Sequence, residues 1–327
     1  MLSRTAENLF WIARYIERAE NVARLIDMGY RMARLPHADD PATNDWASVL
    51  LSSGAAGGFS EPLAEADQER VAHWLLLDHS NPSSAMSCIA HARDNARGAR
   101  NAISSEVWEA INDGWMEFRF SDENAIRGGA LPRLIDWIKQ RAALFRGCVD
   151  STLLHGEGFQ FLRMGVHIER ADNTSRLLDV KYHVLLPDQE HVGGSVDYYQ
   201  WISILRAANS VLAYQVCYKD GVKPWNVSDF LILNRQAPRS LYYCCSTVCQ
   251  RLDRLAELYG DRWPCHDVAD ALRDKLAASG MGEIFQQGLH EFLTEFIASN
   301  SALADSIATS FGFAGALTPS REIGVEE

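Results

Sequence analysis

The stretch YIERAENVARLID, residues 15–27, returns as HIERADNTSRLLD at residues 167–179. Ile16, Glu17, Arg18, Ala19, Asn21, Arg24, Leu25 and Asp27 all recur identically 152 positions later. Two further segments follow in the same order. DWASVL at 45 corresponds to QWISIL at 200, and WLLLDHSNPSS at 74 to FLILNRQAPRS at 230, which also sets Cys88 against Cys244. The offset drifts only from 152 to 156. Three ordered matches imply a tandem duplication, and a unit of roughly 150 residues is too long for a solenoid repeat. The expected architecture is one all-α helical bundle built from two similar halves, about 1–150 and 151–315, packed about a pseudo-twofold axis. An acidic tail at 316–327 is expected to be disordered.

The pattern is helical nearly throughout. Residues from Thr5 to Leu35 lack proline and carry one glycine, Gly29, before Pro36 stops them. PHADDPATN is a loop, and DWASVLL a short helix ended by GAAGG. Apolar residues recur at helical spacing from Glu61 to Asp78, and DHSNPSS then reads as a turn with an N-cap. Two helices follow, the second capped by Ser104 or Ser105, and after the loop SDENAIRGGALP another runs from Pro132 to Leu154. The second long helix opens after Gly156 and Gly158 and closes at Pro187.

On the first long helix Ile12, Ile16, Ala19, Ala23 and Ile26 share one face, with Glu17, Asn21 and Arg24 opposite. Phe10, Leu25 and Met28 flank that polar stripe, as Leu162, Val166, Leu177 and Val180 flank Glu169, Asn173 and Arg176. An apolar collar around charged groups implies a helix buried on most sides, where each charge needs a partner. A symmetric meeting of the halves would set Glu17 against Arg176 and Glu169 against Arg24. Arg18 and Arg170 would stay to one side, for an anionic ligand or a second interhelical pair. The same groups suit a pocket for a carboxylate, phosphate or amide, because the planar guanidinium makes two parallel hydrogen bonds. Arg239, just after Pro238 at a helix start, is a second possible anion site, although Ser83 stands at its counterpart.

Other classes find little support. A net charge of −12 disfavours a nucleic-acid or anionic-membrane partner. Charged residues interrupt the N-terminal apolar run and no long apolar span occurs, so a cytoplasmic, soluble chain is expected. The seven cysteines lack C-x-x-C spacing and read as buried thiols, with no metal expected. No phosphate-binding glycine loop, G-x-S-x-G, H-E-x-x-H or paired Glu-x-x-His is present, and no cofactor is expected. His167, where the first copy has Tyr15, reads as a packed aromatic position.

With this all-helical pattern, the two IERA segments and DFLILNRQAPRSLYYCC resemble the bacterial Alpha-E family, a predicted helical domain of unknown function named for its Glu-Arg motif. The likeness covers nearly the whole chain and maps the motif onto Glu17-Arg18 and Glu169-Arg170. The resemblance implies a setting that includes a circularly permuted ATP-grasp ligase and a transglutaminase-like peptidase. It thus implies a helical accessory subunit in ATP-dependent amide or peptide bond formation or peptide modification, with the ligase as partner and a peptide or carboxylate as substrate. Two alternatives stand beside it. One is an enzyme, or small-anion-binding protein, using Glu17 or Glu169 as acid/base and the arginines as clamps. The other is a structural protein that only oligomerises.

Overall fold

A computed structural model describes residues 1–34, 45–185 and 195–314. The expected loop at 36–44 and the tail at 316–327 lie outside the described residues. Among the described residues there are fourteen α-helices and no strand. The first half contributes α1 (Ser3–Met32), α2 (Asp45–Ser53), α3 (Gln68–Ala72), α4 (Ala85–Gly98), α5 (Ser105–Phe118) and α6 (Ala130–Thr152). The second contributes α7 (Glu157–Leu185), α8 (Ser195–Ala207), α9 (Val211–Cys217), α10 (Pro224–Ile232), α11 (Leu241–Tyr259), α12 (Pro264–Ala278), α13 (Met281–Gln287) and α14 (Leu289–Ser310).

Local chemistry accounts for several boundaries. Ser84, Ser104 and Ser240 each accept a hydrogen bond from the backbone N–H three residues on, which caps α4, α5 and α11. The turns before α4 and α11 are built alike. Asp78 accepts from the Ser80 N–H, and Asn234 from the N–H groups of Gln236 and Ala237. The helix expected over Glu61 to Asp78 forms in its second part, where α3 runs directly into one π turn (His73–Leu77). The first part is irregular, with a 3₁₀ turn after Pro62, and Asp67 starts α3 by accepting from the Arg70 N–H. α6 begins at Ala130, two residues earlier than expected, with Pro132 in its first turn.

The two long helices form the centre. α1 packs on α7, α4 and α6, while α7 packs on α1, α11 and α14. Outside them α5 joins α4 to α6, and α12 joins α11 to α14. The short helices cross over: α2 lies on α7 and α8 on α1. α1 and α7 run side by side in the same direction, since Leu9 meets Gly158, Phe10 meets Gly165 and Arg18 meets Glu169. They approach closely at Gly165, where a Cβ would stand 2.3 Å from the Phe10 carbonyl oxygen and 3.1 Å from the Ala13 Cβ. Glycine is required there because the backbones touch. α1 is wrapped on most sides, with Leu9, Ile12, Ala13, Ala23 and Ile26 all fully buried. Among the described residues no helix is long and apolar enough to cross a membrane.

Candidate functional site

The twin motifs meet each other. Arg18 holds Glu169 with two parallel bonds, Nε to Oε1 at 2.5 Å and Nη2 to Oε2 at 2.9 Å. Arg170 holds Glu17 in the same way, at 2.9 and 3.1 Å. Each motif thus gives its glutamate to the other helix's arginine. The expected pairs Glu17–Arg176 and Glu169–Arg24 do not form. Arg24 bonds Glu20 and Arg176 bonds Asp172, each one turn back on its own helix. Parallel helices in contact bring residue i near i+152, whereas the expected pairs lie about two turns away in opposite directions and would form together only between antiparallel helices. Arg18 and Arg170, expected to stand to one side, form the centre of the interface.

Around Glu17 the space is filled. Arg146 from α6 reaches Glu17 and Glu20, and Arg239 reaches the same two carboxylates at 3.2 and 3.3 Å. Arg239 also donates to Asn21 Oδ1, and its backbone carbonyl accepts from Thr174 Oγ1. The possible anion site at Arg239 is therefore corrected: the side chain is buried, and the anions it meets are the protein's own. Burial together with Arg170 and Arg24 pushes its guanidinium down to about 10 despite Glu17 and Glu20. Burial would raise the Glu17 carboxyl, but Arg170, Arg239 and Arg146 outweigh it and hold it far below the usual range.

Around Glu169 the space is open. Arg14 adds one bond to Glu169 Oε2 at 3.0 Å. Burial would raise this carboxyl too, yet Arg18 and Arg14 hold it down at about 2. Beside the ion pair lies a cavity of about 230 Å³. Arg14, Arg18 and Arg176 line it with Glu169 and Asp172, and so do Asn21, Asn173, Ser53, Ser83 and Ser301. Gly54, at φ +72°, forms part of the wall; a Cβ there would meet Arg176 Nη1 at 2.4 Å. Asn173 is buried, and among the described residues its Nδ2 has no hydrogen-bond partner. Of the eight motif residues singled out in the sequence, Arg18, Asn21, Glu169, Asn173 and Arg176 line this cavity, whereas Glu17, Arg24 and Arg170 do not.

Several partners escaped the sequence reading. Glu20 and Asp172 occupy equivalent places in the two motifs, so a tolerance for like chemistry would have found them. Arg14 aligns with Val166, and Arg146 lies on another helix, so neither carries a repeat signal. His167 is packed near Tyr243, and burial with Arg170 and Arg163 nearby drives its imidazole well below its usual value, so it stays neutral. The thiols of Cys88 and Cys244 are buried and free, both pushed up to about 12 by burial. Among the described residues no group of three or more His, Cys, Asp or Glu side chains is placed to hold a metal ion.

The chain is similar to an uncharacterized protein of Mycobacterium bovis and to two uncharacterized proteins of Mycobacterium tuberculosis strains, at 23% identity in each case. These alignments take in 97% of this chain but only 38% of each relative, so the chain spans well under half their length. No solved structure matches. The model of the Alpha-E family, described as a predicted alpha-helical domain with a conserved ER motif, matches residues 1–311, and the chain belongs to that family.

Proposed function

We propose that this chain is a helical accessory subunit working beside an ATP-grasp-type ligase, together with a transglutaminase-like peptidase, in ATP-dependent amide or peptide bond formation or peptide modification. The observation that carries the reading is the length relation. Nearly the whole chain corresponds to 38% of the longer mycobacterial relatives, so in those proteins the helical unit is joined to more chain. A unit that is joined to more chain in its relatives is suited to working against a further polypeptide. We further propose that the body is two copies of one unit about an approximate twofold axis. The reciprocal Arg18–Glu169 and Arg170–Glu17 pairs, the crossed α2 and α8, and the contact of Ala13 with its equivalent Gly165 support it.

The stand-alone enzyme reading is weaker. A general acid or base works best with a pKa near the operating pH. Glu169 is held at about 2 and Glu17 lower still, each with its oxygens fully engaged by arginines. Such carboxylates position arginines; they do not shuttle protons at neutral pH. The partner reading is tested by affinity capture of the tagged chain from its native cells. Recovery of an ATP-grasp-type ligase is expected. Repeated clean preparations without any ligase, in a chain that light scattering shows only to self-associate, would favour the oligomerising alternative.

A further inference from the structure

We infer that the cavity beside Glu169 is a binding site for a small carboxylate-bearing ligand, held between Arg14, Arg18 and Arg176. Three guanidinium groups face two carboxylates, Glu169 and Asp172, which leaves one positive charge uncompensated in the lining. The lining is also rich in unused donors. Arg14 donates to Glu169 only through Nε, and among the described residues no hydrogen bond engages its terminal nitrogens, Arg18 Nη1 or Arg176 Nη1. Asn173 Nδ2 is buried without a partner, which costs free energy unless something accepts from it. The charged acceptors are already engaged: Glu169 takes three arginine N–H groups and Asp172 two from Arg176, while Asn21 Oδ1 takes Arg239. An occupant must therefore bring acceptors and one negative charge, which a carboxylate does with two oxygens for a guanidinium fork.

The arrangement also explains why the site exists on one side only. The residue just before the N-cap serine is Arg239 at α11 and Ser83 at α4. Arg239 fills the space beside Glu17, whereas Ser83 leaves the space beside Glu169 as the cavity it lines. Entry is possible because the Arg14, Arg18 and Arg176 side chains remain 16, 24 and 29% exposed. A cavity of about 230 Å³ admits a ligand the size of an amino acid or a peptide terminus. A site of this kind would hold the acyl group that amide formation consumes, but it stands on the isolated chain whether or not a ligase binds.

Titration calorimetry of the full chain with N-acetylglycine, which has a carboxylate and no amine, tests the assignment. Inorganic phosphate and glycine ethyl ester serve as the other arms. Saturable binding of N-acetylglycine is expected, weaker for phosphate and absent for the ester. Ser83→Arg, which supplies the plug found beside Glu17, and Arg176→Gln should each weaken it by about tenfold or more, with helicity retained. If Ser83→Arg does not fold, Arg176→Gln decides alone. No saturable binding of N-acetylglycine, affinity unchanged by the folded variants, or tighter binding of phosphate or the ester would each overturn the assignment.

Discussion

Glu169→Gln keeps the shape of the side chain, removes its charge and turns one acceptor oxygen into a donor amide, so it probes what the crossed ion pairs contribute. The Glu169 carboxyl is held at about 2 against an ordinary value of 4.5. At about 1.4 kcal/mol per pH unit, the ionised form in the fold is worth about 3 kcal/mol. Breaking a buried ion pair by removing one partner costs about 3–5 kcal/mol. The lower end applies here, because Arg14 and Arg18 are partly exposed and the adjoining cavity can hydrate them. At about 2.1 cal/mol/K of unfolding entropy per residue, 327 residues give about 0.7 kcal/mol/K, so the loss corresponds to roughly 4–5 °C. Thermal unfolding followed by circular dichroism at neutral pH reads this directly. The pH dependence supplies the sign. A carboxyl depressed in the folded state contributes its stability fully above pH 5, and that contribution is lost as pH falls toward 2. The wild-type protein should therefore lose its advantage over Glu169→Gln across that window, while both lose the shares of Glu17 and Glu20, which their arginine neighbours also hold low. A shift below 1 °C at neutral pH, with a gap constant down to pH 2, would refute the buried-pair account.

Other perturbations follow from the packing. Gly165→Ala places a methyl group against the Phe10 carbonyl of the neighbouring backbone, so it should cost about 1–3 kcal/mol, seen as a lower melting temperature. Gly147→Ala in the middle of α6, where a Cβ meets nothing within 4 Å, should instead stabilise by about 0.5–1 kcal/mol in the same assay. Gly54→Ala forces a left-handed backbone onto alanine and pushes on Arg176, so a loss of about 1–2 kcal/mol is expected in denaturant unfolding. Iodoacetamide at pH 8 should modify exposed Cys217 rapidly in the native protein, while Cys88, Cys244, Cys245 and Cys249 react only after unfolding; mass spectrometry of peptides reads the difference.

What the sequence made legible was set by local rules. The long helices, their wrapped character, the N-cap within DHSNPSS and the cap at Ser104 or Ser105 follow from proline placement, apolar collars and serine chemistry; the caps are Ser84 and Ser104. What stayed hidden depends on the direction and register in which the two helices meet. The order of Glu, Arg, Asn and Arg along a helix says that partners are needed, but antiparallel and parallel packing give different partners. The parallel register brings Gly165 under the Phe10 carbonyl, a contact between backbones that no pattern within either helix reveals. Arg146 was hidden for a different reason, since it arrives from α6 and has no copy in the other motif.

The differences between the two motif helices support the proposed carboxylate site. Two like units that pack through their own charges need the same number of compensating groups on each side, and any ligand then has nothing left to bind. Here the two sides differ: Glu17 is closed by Arg239 and Arg146, whereas Glu169 faces Ser83 and an open, donor-rich space. An ion network kept only for rigidity has no reason to leave Asn173 Nδ2 buried without an acceptor on that side alone, because each such group costs about 1–3 kcal/mol. The equivalent Asn21 Nδ2 does find one, the Glu169 carbonyl at 3.4 Å. The asymmetry thus separates two duties the motif could serve: the Glu17 half locks the helices together, and the Glu169 half holds three arginines around a space that a small carboxylate would complete.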